Sequence, residues 1–234
     1  MTRKGIILLG SATSNPRTAT RLFQWLIVGL IVGWLSPVLT PANETKSLVF
    51  LGDSLTAGLG LDPDEAYPAV VQKKIDAAGL PWRVVNAGIS GDTTAGGLRR
   101  LDWLLRQKVE VIVIALGAND GLRGIAPAVT RANLKTMIEH LRARVPEIKI
   151  ILAGMQLPPN LGPDYTKQFA AIFPDLAKEC DVALIPFLLE GVGAHSELNQ
   201  ADGMHPTVDG QLKLAANVWV VLEPLLRGDS KKQP

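Results

Sequence analysis

The chain has 234 residues, 47% of them hydrophobic and 20% charged, with a formal net charge of +2. That length suits one domain of roughly 200 residues with a sizeable core. A charge so near zero, with no Lys/Arg stripe on any predicted helix, leaves no electrostatic footprint for nucleic acid. The single cysteine, Cys180, excludes an intrachain disulfide and a multi-cysteine metal site. Placed at the end of a predicted helix, it reads as a buried packing residue.

At the N-terminus, Arg3, Lys4, Arg17 and Arg21 precede an apolar run over 25–35, closed by Ser36 and Pro37. A basic segment, an apolar run of about a dozen residues and a Pro-marked end form the layout of a secretory signal. The run is shorter than the ~20 residues that cross a bilayer. The basic stretch is long for a signal and the nearest cleavage site, Thr40-Pro41-Ala42, is weak, so an uncleaved membrane anchor is the alternative. In both readings the basic residues stay cytoplasmic and the domain that follows faces outward, periplasmic, secreted or tethered. The expected division is 1–42 as signal or anchor plus linker, 43–228 as the domain, and 229–234 as a solvated tail holding Lys231 and Lys232.

From Lys46 onward, short apolar runs over 47–51, 82–86, 109–116, 149–153 and 182–185 read as strands. Between and after them, stretches over 65–78, 94–105, 128–145, 165–179 and 208–226 carry apolar residues three and four apart, the helical period. In the third, Leu134, Ile138 and Leu141 share a face while Arg131, Lys135 and Arg142 point elsewhere. Apolar strands alternating with helices pair in parallel, with right-handed crossovers covering both faces. The expected fold is therefore α/β, a three-layer α/β/α sandwich on a five-stranded parallel sheet of flavodoxin-like type. In such sheets ligands sit beyond the carboxyl ends of the strands, so the residues just after each strand hold the chemistry.

After the first strand stands Gly52-Asp53-Ser54-Leu55. A glycine permits a tight bend that lifts Ser54 to the head of a helix, where free N–H groups suit a developing oxyanion; a plain N-cap serine is the competing reading. After the second comes Ser90-Gly91-Asp92. Gly91 either brings a bare N–H to a ligand or serves as a turn glycine, while Ser90 fails the G-x-S-x-G elbow because Asp92 occupies the last position. After the third, Asn119 sits between Gly117 and Gly121, as an amide donor into the same crevice or as an Asx-turn residue. Before the last helix, Asp202 precedes His205 by three residues and Pro206 stiffens the loop. Such an Asp can hold an imidazole N–H and fix its tautomer, or simply cap the helix. Of the other histidines, His140 reads as a surface helical residue, and His195 lacks an acid at comparable spacing.

These four segments resemble the blocks of the GDSL (SGNH) hydrolase superfamily, with Ser54, Gly91, Asn119 and the Asp202/His205 pair at the matching positions. The wording over 50–61, Ala118 to Gly124 and Met155 to Pro159 is similar to the bacterial arylesterase, thioesterase I and lysophospholipase L1 branch. The likeness spans Lys46 to Leu226 and departs at the longer N-terminus. It implies Ser54 as nucleophile, His205 as base, Asp202 as its orienting acid, and an oxyanion hole from the Ser54 N–H, the Gly91 N–H and the Asn119 amide. The implied substrates are short- to medium-chain acyl esters, aryl esters, acyl thioesters or lysophospholipids, cleaved without metal or cofactor. Leu122, Ile125 and Met155 to Pro159 are candidate walls of an acyl pocket. Two rivals stand beside this reading. One is a carbohydrate O-deacetylase on the same triad, disfavoured by the lack of an aromatic platform. The other is a non-catalytic binding protein, which has no reason to keep both nucleophile and base.

Overall fold

The computed structural model describes residues 44–228, so the expected signal or anchor over 1–42 and the tail over 229–234 lie outside the described residues. In chain order the elements are β1 (Lys46–Gly52), α1 (Ser54–Ala57), α2 (Tyr67–Ala77), β2 (Trp82–Gly88), α3 (Thr94–Leu104), β3 (Val111–Ala115), α4 (Ala118–Leu122), α5 (Pro127–Arg144), β4 (Lys149–Ala153), α6 (Pro163–Glu179), β5 (Ala183–Ile185) and α7 (Val208–Arg227). The five strands pair in parallel in the order β2-β1-β3-β4-β5.

The sheet is buried because its strands are apolar on both sides. Val111, Ile112, Val113, Ile114 and Ala115 of β3 are all fully buried, as expected of a central parallel strand rich in β-branched residues. The first crossover runs from β1 to β2 on one side and the later ones run the other way. Right-handed connections then place helices on both faces, and α2 packs on α7 while α3, α5 and α6 form a second row. Leu134, Ile138 and Leu141 of α5 are fully buried, the face the spacing predicts. Helix starts follow local chemistry. The Thr93 and Thr207 hydroxyls accept from the N–H groups of Gly96 and Gly210 at 3.2 and 3.3 Å, and Pro127 and Pro163 open α5 and α6.

Two details of register position the site. Gly52, the last residue of β1, lies opposite Gly88 of β2 and Ala115 of β3, so three loops begin at one level. The chain turns one way from β1 to β2 and the other way to β3, and this reversal opens a crevice beyond their carboxyl ends.

Candidate active site

Ser54 is the first residue of α1, directly above the end of β1. Gly52 is required there for a different reason from the one its sequence context suggests. Its φ lies outside the left-handed region, but a Cβ would stand 1.9 Å from Thr56 Oγ1. The glycine therefore lets α1 fold back against the strand. Asp53 caps this helix, its Oδ1 accepting from Leu55 N–H at 3.0 Å. Below, buried Thr56 and Tyr67 share a hydroxyl–hydroxyl bond of 2.8 Å.

The Asp202 loop reaches the same point from the other end of the chain. His205 Nε2 lies 2.9 Å from Ser54 Oγ, and His205 Nδ1 lies 2.6 Å from Asp202 Oδ2. A carboxylate only accepts, so Nδ1 carries the proton, and Nε2 of the neutral ring is left as the acceptor for the Ser54 hydroxyl. Asp202 Oδ1 accepts from the N–H groups of His205 at 3.0 Å and Met204 at 2.9 Å. These donors, the His205 backbone and ring foremost, hold the Asp202 carboxyl well below the usual carboxylate range. Gln200 fastens the loop, its Nε2 donating to Leu59 O at 2.8 Å and Pro206 O at 3.0 Å.

Asn119, in α4, donates from Nδ2 to Asp92 O at 2.9 Å and to Asp53 Oδ2 at 3.3 Å. Gly91 has φ +78°, a left-handed conformation natural to glycine. Its carbonyl accepts from Arg123 Nη2 at 2.8 Å. Arg100 braces the loop from below, donating to Asp92 Oδ2 at 2.8 Å, Ala87 O at 2.7 Å and Gly52 O at 3.0 Å. Among the described residues, the Ser54 and Gly91 N–H groups have no hydrogen-bond partner. Asp53 is buried beside them. Desolvation pushes its carboxyl up to about 6, against the lowering effects of the Leu55 N–H and His205.

Ser54, Asn119 and His205 open onto a cavity of about 460 Å³, within the range of small-molecule sites. Gly91 is not on its lining; it stands one residue before Asp92, whose carbonyl holds Asn119. Leu122, Gln156, Leu157, Pro158 and Pro159 line the cavity. Two of the expected pocket residues do not. Met155 is in the core with 2% exposure, and Ile125 lies off the lining, its carbonyl accepting from Tyr165 Oη at 2.8 Å. Phe187, Leu189, Gly193, Ala194 and Met204, not predicted as pocket residues from the sequence, complete the apolar wall with Leu55 and Ala118. Phe187, Leu189, Gly193 and Ala194 follow β5 and carry no motif, so only their position after a strand end points to them, whereas Met204 lies inside the Asp202–His205 segment. Contrary to the sequence expectation, His195 does have an acid at close spacing, Glu197, 3.3 Å from its Nδ1, and His140 lies 2.7 Å from Asp102; His205 is nonetheless the histidine whose ring meets Ser54. Cys180 is buried, as expected.

A family model described as GDSL-like Lipase/Acylhydrolase matches residues 50–213. The chain is 47% identical over 199 residues to esterase TesA of Pseudomonas aeruginosa, covering 84% of this chain and 98% of that protein. It is 40% identical over 210 residues to thioesterase 1/protease 1/lysophospholipase L1 of Escherichia coli K12, covering 89% of this chain and 97% of that protein. A crystal structure of TesA superposes with a TM-score of 0.74 at 48% identity, covering 77% of this chain and 99% of that one. With a family model spanning most of the domain, and relatives this similar over nearly their whole length, the chain belongs to the GDSL-like lipase/acylhydrolase family and is a hydrolase of ester bonds.

Proposed function

We propose that this enzyme is a serine esterase and thioesterase that hydrolyses short- to medium-chain acyl esters, aryl esters, acyl thioesters or lysophospholipids through an acyl-enzyme on Ser54. The 2.9 Å approach of His205 Nε2 to Ser54 Oγ, made by residues 151 positions apart, carries the reading. Ser54 Oγ attacks the acyl carbonyl as its proton passes to His205 Nε2, and Asp202 stabilises the imidazolium that results. The oxyanion gathers hydrogen bonds from the Ser54 and Gly91 N–H groups and from Asn119 Nδ2. Collapse expels the alcohol or thiol, which takes the proton back from His205. Water, activated by the same nitrogen, then releases the acid and restores the serine.

The cavity wall supports an apolar acyl group. Leu122, Leu157, Phe187, Leu189 and Met204 face it, which suits a hydrocarbon chain better than an acetylated sugar. The basic and apolar pattern at the N-terminus supports action outside the cytoplasm, and fractionation of cells expressing the full chain tests that placement. For the chemistry, a fluorophosphonate probe should label Ser54 on the folded protein and leave Ser54→Ala unlabelled. Turnover should be measured with p-nitrophenyl acetate, p-nitrophenyl octanoate, an acyl-thioester and an acetylated xylan. Absence of a Ser54 adduct would sink the triad, and turnover of the xylan alone would favour the deacetylase.

A further inference from the structure

The mechanism above leaves one buried ionisable group in the cavity wall without a task. Asp53 has 1% exposure and lies on the cavity lining beside Ser54. A lone carboxylate in such a place is costly to bury, and helix capping does not require it, since serine or asparagine caps as well. Both of its oxygens face donors: Oδ1 meets Leu55 N–H at 3.0 Å and Oδ2 meets Asn119 Nδ2 at 3.3 Å. The other N–H of the Asn119 amide is committed to Asp92 O at 2.9 Å. The N–H facing Asp53 is thus the one a substrate oxygen can share, its 3.3 Å contact being long enough to leave room for a second acceptor while still fixing the amide's orientation.

We propose that Asp53 is a positioning residue for ester hydrolysis, whose two acceptor oxygens hold α1 with one and aim the Asn119 amide at the substrate carbonyl with the other. The inference rests on the reading of Asn119 as an oxyanion donor. It explains why a carboxylate occupies the position. An amide at this position has a single acceptor oxygen, so it cannot set one oxygen on Leu55 N–H and a separate one before the Asn119 amide. Protonation turns one Asp53 oxygen into an O–H donor and weakens the same pairing, and burial brings that protonation up to about pH 6. The groups that face this carboxyl are His205, Asp92 with its partner Arg100, and Tyr67.

The test is a cycle of Asp53→Asn, Asn119→Ala and the double variant, assayed on p-nitrophenyl esters with melting temperatures taken in parallel. Asp53→Asn should fold, keep KM within about twofold and lose about ten- to a hundredfold in kcat, less than the ~10²–10³-fold typical of deleting an oxyanion donor. In the Asn119→Ala background the same substitution should cost less than about twofold, because coupled residues are not additive. The wild-type to Asp53→Asn ratio of kcat should shrink toward one as the pH falls through about 6. If Asp53→Asn does not fold, Asp53→Ser keeps the cap, cannot reach Asn119, and enters the same cycle. Wild-type kcat in the Asp53 variant, or an equal loss with and without Asn119, overturns the proposal. Full kcat in Asn119→Ala removes Asn119 from the oxyanion hole, a different failure from an impaired Asn119→Ala beside an unaffected Asp53→Asn.

Discussion

Two carboxylates stand on either side of the Ser54–His205 pair, and the chain treats them in opposite ways. Asp202 is at the surface, on a loop, with its side chain 42% exposed; three N–H donors converge on it and depress its pKa. Asp53 sits in the floor at the end of a central strand, and burial raises its pKa despite two donors. The donor count is similar; the difference is water. An exposed carboxylate keeps its hydration while gaining N–H partners, whereas a buried one gives up hydration that two partners do not replace. The loop acid is therefore suited to remain charged beside an imidazolium, and the floor acid to hold a neutral amide.

The largest effect that should separate them is on catalysis. Asp202→Asn puts an amide N–H against His205 Nδ1, which drives the ring proton to Nε2 and takes away the acceptor that Ser54 needs. By analogy with the same change in other serine triads, kcat should fall by about 10³–10⁴, with fluorophosphonate labelling slowed in parallel. Labelling at the wild-type rate would show that Asp202 does not set the tautomer. The loss for Asp53→Asn should be far smaller, because there the amide donor is misaimed rather than the base removed.

Stability against pH should give the two acids opposite slopes. The folded pKa of Asp202 is depressed, so its contribution is present above the ordinary carboxylate value of 3.8 and disappears as pH falls below it. Asp202→Asn should then melt below wild type at pH 7, with the gap closing as pH falls below about 4. The folded pKa of Asp53 is raised from 3.8 to about 6, so its ionisation costs stability as pH rises through that interval. Asp53→Asn should gain on wild type between pH 4 and pH 8, by at most about 3 kcal/mol before the lost Asn119 contact is subtracted. Parallel melting curves for the two variants would remove the contrast.

How legible these features were depends on whether their causes are local. Asp202 and His205 are three residues apart, so their pairing is visible in the sequence, as is β3 in its run of β-branched residues. Helices α1 and α4, of four and five residues, are too short to display a helical period, although they carry Ser54 and Asn119. The cavity wall at Phe187 and Leu189 lacks any motif, and Gln200 matters through a bond to Leu59, 141 positions away. In the sequence Asp53 is visible only as a neighbour of Ser54. Its burial and its contact with Asn119 come from the switch between β1 and β3, a tertiary cause that no local window contains.

A second buried polar group serves as the control for Asp53. The Thr130 hydroxyl in α5 is fully buried and has no hydrogen-bond partner among the described residues, whereas each oxygen of Asp53 meets a donor. If buried polarity is kept at Asp53 for positioning, removing it from Thr130, whose hydroxyl bonds to none of Ser54, Asp202 and His205, should carry no catalytic cost. Thr130→Val retains the branched shape and deletes the orphan hydroxyl, so it should raise stability by about 1 kcal/mol and leave kcat and KM unchanged. Denaturant midpoints at constant m-value read the first quantity and ester turnover the second. Of the two substitutions, only Asp53→Asn should then slow the enzyme. Equal catalytic losses would instead mean that packing around the sheet, rather than the aim of one amide, limits turnover.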